Sequence, residues 1–395
     1  PRSTPSNSSA ASDVYKRQVN AMLWKTSPAA TELEERVLDW LRRMLGLPPD
    51  FWGIIYDTAS VSTLHALAAA RQAVPGYDIR RDGYSGGLKL RMYTSEQSHS
   101  SVEKAAMTIG IGQEGVRKIP VDAEFRMDAE ALNEAIREDR GYGWTPFCVV
   151  ATVGTTSTTS VDPVDSIVRI CSREGLWLHV DAAYAGPAAI LPEMKWILKG
   201  CEKADSLVTN PHKWLFTPID LSVFYCRRPE VLKEAFSLVP EYLKTTEDGT
   251  VTNYMDYGIQ LGRRFRALKL WMVIRFFGRR GIQERIRRHL SWAKEFAEWV
   301  DRHPRFERMA PTLFSTVCFR ALHGAGEPED RIDRFNEQLL RAINDSGEVF
   351  LSHTKLNGRF TLRLAIGNLK TRRRDLERCW EIIREKAATL HGNSE

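Results

Sequence analysis

The sequence contains no stretch approaching the ~20 consecutive uncharged apolar residues that a membrane-spanning helix needs. Residues 1–20 carry no apolar core of a secretory signal, and scattered cysteines in a chain of this size point to a cytosolic protein. Cysteine is sparse and scattered, at Cys148, Cys171, Cys201, Cys226, Cys318 and Cys379. No CxxC pair or metal-ligand spacing occurs, so a disulfide scaffold and a structural zinc site are both excluded, and the thiols read as reduced and buried. No glycine-rich phosphate loop is present. The one G-x-G-x-x-G match, Gly110 to Gly115, has a helix before it and a strand after it, the reverse of a dinucleotide fingerprint, so it reads as a turn. Basic charge is in mild excess, net +6, without a basic tract. The densest cluster, Arg263 to Arg288, is interleaved with Trp271, Phe276 and Phe277 as on a helix with one apolar face. No nucleic-acid-binding signature accompanies it.

What is present is an ordinary globular composition, 43% hydrophobic and 27% charged, over 395 residues. That length suits two or three domains of roughly 100–200 residues each. Residues 1–20 are rich in Ser, Ala and Pro and show no period. They read as a disordered or non-native tail on a chain that begins without Met.

Thr31–Leu45 has apolar residues at helical spacing (Leu33, Val37, Trp40, Leu41, Leu45), with Ser27-Pro28 as a start signal. Thr58–Ala73 reads as a second helix. Strands at Lys89–Thr94, Pro146–Val153, Leu176–Val180 and Ser206–Val208 then alternate with helices at Ser101–Thr108, Ala129–Glu138 and Val164–Glu174. This alternation predicts an α/β domain around a parallel or mixed sheet. After Tyr257 the pattern changes to a long Arg-rich helical region, then strands Phe314–Arg320 and Phe360–Ala365 with helices Asp330–Asp345 and Arg373–Leu390. The expected division is a large domain over 21–275 and a smaller α+β domain over 276–395.

Several strand ends carry chemistry. Leu176 to Val180 is an apolar strand followed by one carboxylate, Asp181, and by small residues that leave room for a flat ligand. Asn210-Pro211-His212-Lys213-Trp214 follows the next strand, with a lysine in an apolar stretch, where burial of the amine would call for a partner or a covalent use. Each feature has a plainer reading: Asp181 as a helix cap, Lys213 as a lysine reaching solvent. His99, in Gln97-Ser98-His99-Ser100-Ser101, stands just before a helix start. Gly154-Thr155-Thr156-Ser157-Thr158-Thr159 supplies hydroxyls at another strand end. Asp57-Thr58-Ala59-Ser60 opens a helix whose N-terminus suits an anion. Together these meet the needs of pyridoxal 5'-phosphate: an amine for its aldehyde, a carboxylate for its ring nitrogen, an imidazole for its face and donors for its phosphate.

At the level of motifs the sequence resembles the group II pyridoxal-phosphate decarboxylases, specifically the aromatic L-amino-acid decarboxylases. The matching segments are SPAATELE (27–34), SHSSVEKA (98–105), VATVGTT (150–156), WLHVDAAYAG (177–186), NPHKWL (210–215), LGRRFRALKLW (261–271) and VCFR (317–320), in family order. The resemblance implies the fold type I, aspartate-aminotransferase-like architecture: a large domain with a mainly parallel seven-stranded sheet, a small C-terminal domain and a homodimer. It implies that Lys213 carries the cofactor covalently, that Asp181 partners the pyridine nitrogen and that His99 stacks on the ring. Ala59, Ser60 and Asn210 fall where phosphate is held, and Thr156, Ala183 and His212 where the cofactor is contacted. Tyr242, in EYLKTTEDGT (241–250), falls on the mobile catalytic loop.

The implied reaction is decarboxylation of an aromatic amino acid to its amine. An aldehyde synthase of the same fold and an inactive, truncated homologue are the rivals. Simple decarboxylation is favoured because both Tyr242 and His99 are present. The family's N-terminal helical segment is missing. Met22 and Leu23 remain near a loop that in the family reaches the substrate pocket. Gly262 lies where indole-accepting members commonly have Gly.

Overall fold

The computed structural model describes residues 19–84, 87–238, 250–323 and 326–392. Among these, strands β1 (Trp52–Tyr56), β2 (Leu90–Ser95), β3 (Val116–Ile119), β4 (Thr145–Thr152), β5 (Trp177–Asp181), β6 (Ser206–Thr209) and β7 (Ser222–Cys226) form one seven-stranded sheet in the order β1-β7-β6-β5-β4-β2-β3. All pairings are parallel except the two made by β7. Because β7 is antiparallel to both its neighbours, β1 runs the same way as β6. The C-terminal ends of β1, β2, β4, β5 and β6 therefore share one edge of the sheet, the edge where open α/β sheets bind ligands.

The burial of the strands follows from the sequence. Strands β5, β6 and β7 are buried along their whole length, as continuous apolar runs covered on both faces must be. One face packs on α1 (Pro28–Leu45), α4 (Ala129–Gly141) and α5 (Val164–Glu174) through Val37, Leu41, Leu132, Ile136, Ile167 and Cys171. The other packs on α2 (Ala59–Gln72) and α3 (Ser101–Thr108) through Ala66, Leu67, Ala70, Val102 and Ala106. All six cysteines are buried and unpaired. The Gly110–Gly115 segment closes α3 and leads into β3, as its order implied.

A short helix, α6 (Pro211–Trp214), follows β6, and α7 (Pro229–Phe236) follows β7. The long α8 (Ala267–Arg302) is bent at Gly278, whose φ of 62° interrupts the helical geometry. This helix runs through the expected 275/276 division. Its Ile282 and Ile286 join the large-domain core, whereas Ala293, Phe296 and Val300 join the core of the small domain. The small domain is a four-stranded antiparallel sheet, β10-β11-β9-β8, built from β8 (Phe306–Arg308), β9 (Thr316–Ala321), β10 (Ser352–Leu356) and β11 (Arg359–Ala365), with α9 (Glu329–Asn344) and α10 (Arg373–Gly392). Strands β1, β7, β8 and β10 are additional to those expected from sequence. No helix among the described residues is long and apolar enough to cross a membrane.

Candidate active site

Four neighbouring strands deliver four candidate side chains to one place. The turn after β2 carries His99, the loop after β4 carries Thr156, β5 ends at Asp181, and the turn after β6 carries Lys213. All four, with Ala183, line a cleft of about 210 Å³ that also takes in Tyr184, Thr316 and Arg363. Among the described residues no cluster of His, Cys, Asp or Glu could hold a metal ion.

Asp181 is buried, and its Oδ1 accepts a hydrogen bond from the Ala183 N–H at 3.0 Å. No described residue bonds its second oxygen. His99 Nδ1 accepts the Ser101 N–H at 3.1 Å and lies 2.8 Å from the Ser101 hydroxyl. Burial, and then the positive charge of Lys213, lower the His99 pKa, so the ring is neutral at pH 7.

Lys213 is exposed within this chain. The apolar character of its segment comes from its neighbours. Trp214 is fully buried and lies flat on Tyr184, with ring centroids 5.3 Å apart and planes 4° apart. Its indole N–H donates to His289 Nδ1 at 3.0 Å. Burial pushes His289 down to about 4, which keeps it a neutral acceptor. The turn bearing Lys213 is thus anchored from its apolar side while the amine projects into the cleft.

The 154–160 loop is a chain of hydroxyls with one polarity. Ser160 Oγ donates to the Glu124 carbonyl (2.7 Å), so it accepts from Thr158, which in turn accepts from Thr155. Thr155 Oγ1 also accepts the Ser160 N–H at 2.9 Å. Its hydroxyl is committed to the loop, whereas the Thr156 side chain is exposed and the buried Thr152 and Thr159 hydroxyls in the cleft wall have no partner, so these three remain to meet a ligand. Gly154 makes the loop possible: its φ is +91°, and a Cβ there would lie 2.5 Å from the Ala185 Cβ. The small domain holds the loop from the other side. Arg363 on β11 donates to the Thr156 and Ser157 carbonyls at 2.7 and 2.8 Å. Arg363 was not foreseen, because nothing in the strand pattern Thr361-Leu-Arg-Leu-Ala365 marks it as more than an outward polar residue.

The other candidates do not line the cleft itself. Ala59 and Ser60 open α2 at the end of β1, on the same sheet edge but separated from β6 by β7. No side chain caps that helix start. Asn210 is buried with its amide oxygen unpartnered, and the Thr209 hydroxyl beside it is likewise unpartnered. His212 turns away, with its Nδ1 accepting from the Leu221 N–H at 2.9 Å. Met22 and Leu23 are buried against Met255, and Gly262 has open space where a Cβ would stand. Neither group lines the Lys213 cleft. Tyr242 lies outside the described residues.

These groups suit pyridoxal phosphate in kind: a projecting amine, a carboxylate with a free oxygen, a neutral imidazole, a free hydroxyl and unsatisfied polar atoms at the turn after β6. The fold and the site define an α/β enzyme of the pyridoxal-phosphate class. The family model described as "Pyridoxal-dependent decarboxylase conserved domain" matches residues 5–322. An aromatic-L-amino-acid decarboxylase of Sus scrofa is 43% identical over 385 residues, covering 93% of this chain and 76% of its own. A phenylacetaldehyde synthase of Arabidopsis thaliana is 41% identical over 377 residues, with the same two coverages, 93% and 76%. The crystal structure of Oryza sativa TDC with PLP and tryptamine superposes with a TM-score of 0.91 at 38% identity, covering 98% of this chain and 82% of that one. The chain belongs to the pyridoxal-dependent decarboxylase family, of fold type I, and is a pyridoxal-phosphate-dependent amino-acid decarboxylase in class.

Proposed function

We propose that this protein removes CO₂ from an aromatic L-amino acid and releases the arylalkylamine. The observation that carries the reading is the convergence of Lys213, Asp181 and His99 from neighbouring strand ends into one cleft. The aromatic preference is supported by the Sus scrofa and Oryza sativa relatives.

In this reading Lys213 binds the cofactor through its Nζ, and Asp181 holds a proton on the ring nitrogen through its free oxygen. His99 covers the ring face. Thr156 contributes a hydroxyl, with Ala183 beside Asp181, while Asn210, His212 and the helix start at Ala59 and Ser60 hold the phosphate end. The bound cofactor supplies an electron sink for the pair left at Cα when CO₂ departs. Tyr242 returns a proton to Cα.

The second reading is an aldehyde synthase, favoured by the similarity to the Arabidopsis enzyme. Incubation with Trp, 5-hydroxytryptophan, Tyr, DOPA and Phe separates the two. Amine with stoichiometric CO₂ and no peroxide supports decarboxylation; aldehyde, ammonia and peroxide overturn it. No product from any of the five supports an inactive homologue.

We also propose a homodimer in the cytoplasm. The exposed side chains Ile259, Met272 and Phe276, the last 82% exposed, favour a covered face. Six unpaired cysteines favour a reducing compartment. Sedimentation of wild type and Phe276→Glu tests the dimer, with the wild type expected at twice the chain mass.

A further inference from the structure

We propose that Ser101 is a positioning residue that sets the ring tautomer of His99, so that His99 meets the cofactor and substrate as an N–H donor from Nε2. The inference deepens the function proposed above and rests on it for its catalytic half.

Two donors converge on one ring nitrogen. The Ser101 N–H points at His99 Nδ1 from 3.1 Å, and the Ser101 hydroxyl lies 2.8 Å from the same atom. A backbone N–H can only donate, so Nδ1 carries no proton; a proton there would set two donors against each other. A neutral imidazole has one N–H, which therefore sits on Nε2. No described residue bonds Nε2, and the ring lines the cleft.

The local fold enforces this arrangement. Ser101 is the first residue of α3, so its N–H has no partner within the helix. Ser100, the residue before it, makes no side-chain cap. The His99 ring supplies the missing acceptor, and the positive end of the helix dipole disfavours a second proton on it. Ser101 is 4% exposed, so water does not compete for the contact. The charged groups that act on the ring are Lys213, Asp181 and Lys104. Burial and the two lysines oppose protonation, and only Asp181 favours it.

The consequence is chemical. His99 in this state donates a hydrogen bond into the cleft and cannot accept one there. It can hold an anionic oxygen or a lone pair, whereas the opposite tautomer would offer an acceptor and repel it.

The test uses the full chain labelled with ¹⁵N at histidine only, without added cofactor, with His99→Asn to identify the His99 signals. The expected wild-type spectrum at neutral pH has Nδ1 unprotonated and Nε2 protonated. Ser101→Thr should preserve it. Ser101→Asp places a carboxylate at Nδ1 and should move a proton there; Asp in a first helical turn is favourable, so the helix should persist. Should that variant not fold, Ser101→Ala should keep the tautomer through the backbone N–H but shift the Nδ1 signal toward that of a weaker acceptor. A protonated Nδ1 in wild type, or an unchanged His99 spectrum in both Ser101→Asp and Ser101→Ala, overturns the proposal. In cofactor-loaded enzyme, Ser101→Asp should lower kcat for amine formation about tenfold or more with KM little changed, the scale typical of an orienting partner. Ser101→Thr should stay within about twofold of wild type. A tautomer that moves without any change in kcat overturns the catalytic half. Wild type that makes no amine overturns the functional reading and leaves the spectroscopic result to be judged separately.

Discussion

Arg263 and Glu34 form a buried ion pair, 2.6 Å apart and only 4% and 1% exposed, that ties three distant segments together. Glu34 Oε1 also accepts the Ile55 N–H of β1 at 2.9 Å. Arg263 donates to the Ile55 and Ala21 carbonyls at 2.8 and 3.0 Å, and its guanidinium lies over the Tyr254 ring. Residues 21–23 and Gly262 are therefore held by one charge pair. Removing one partner leaves the other charge buried without compensation. Glu34→Ala is expected to cost about 3–5 kcal/mol, read as a lower urea midpoint. Glu34→Met with Arg263→Met should recover much of that loss. A single variant as stable as wild type would refute the account.

Lys213 is expected to be the covalent attachment point. Borohydride reduction of the cofactor-loaded enzyme followed by peptide mapping should label Lys213 and no other lysine, and Lys213→Ala should lose turnover. A label elsewhere would remove Lys213 from its role.

Asp181→Asn keeps the shape of the side chain and an acceptor for the Ala183 N–H, but removes the charge. Cofactor retention should be partly preserved while the rate falls about 10²-fold or more, the scale of a lost proton-holding group. Turnover near the wild-type level would show that the ring nitrogen is served by another residue.

Tyr242→Phe removes one hydroxyl and keeps the ring. Amine formation should fall about 10²-fold, with aldehyde and peroxide becoming a larger share of the product. Unchanged amine yield without peroxide would place the Cα proton on another group.

Stability should fall steeply below pH 6. Burial pushes His289 and His179 down to about 4 and His65 to about 3, from 6.5. Between about pH 4 and 6 the unfolded chain binds protons at these rings that the folded chain does not. The stability they contribute is present above their unfolded pKa and lost as pH falls toward the folded values. Asp162 acts in the opposite sense: burial raises it from 3.8 to about 6, so the folded chain holds a proton there that the unfolded chain has released. Three protons against one leaves about two, or a slope of about 2.7 kcal/mol per pH unit. Urea midpoints at pH 6, 5 and 4 should drop accordingly, and His289→Gln should flatten the curve. A pH-independent midpoint would contradict these neutral, buried rings.

Much of the architecture was legible because its signals are local. The helices at Ser101–Thr108 and Val164–Glu174 have the limits read from their periodicity. Strands β2, β4, β5 and β6 were visible as apolar runs between helices. Strands β1 and β7 were not. Trp52–Tyr56 is a short run with a glycine, and Ser222–Cys226 follows β6 after only the four-residue α6, too short to announce a parallel strand. Both become strands by pairing with one another, a contact between residues some 170 apart in the chain. The expected 275/276 division lies in α8 close to its break at Gly278, which the change of pattern after Tyr257 did not mark.

The sequence by itself determined the chemical inventory: a lysine, a carboxylate and an imidazole at strand ends, next to small residues and hydroxyls. Strand ends are local features, and side chains there face outward whatever the sheet order. Only the tertiary structure decided which of them meet. The order β6-β5-β4-β2 sets Lys213, Asp181, Thr156 and His99 on adjacent strands, while Ala59 and Ser60 start beyond β7 and α2 packs back over the sheet into the core cluster that holds Ala183. Packing also decided that Lys213 is open and Trp214 buried, that Arg363 crosses from the small domain to the Thr156 carbonyl, and that the Thr155 hydroxyl of the loop is committed while those of Thr156 and Thr159 are not. These outcomes depend on hydrogen bonds and contacts between residues far apart in the chain, and no local pattern records them.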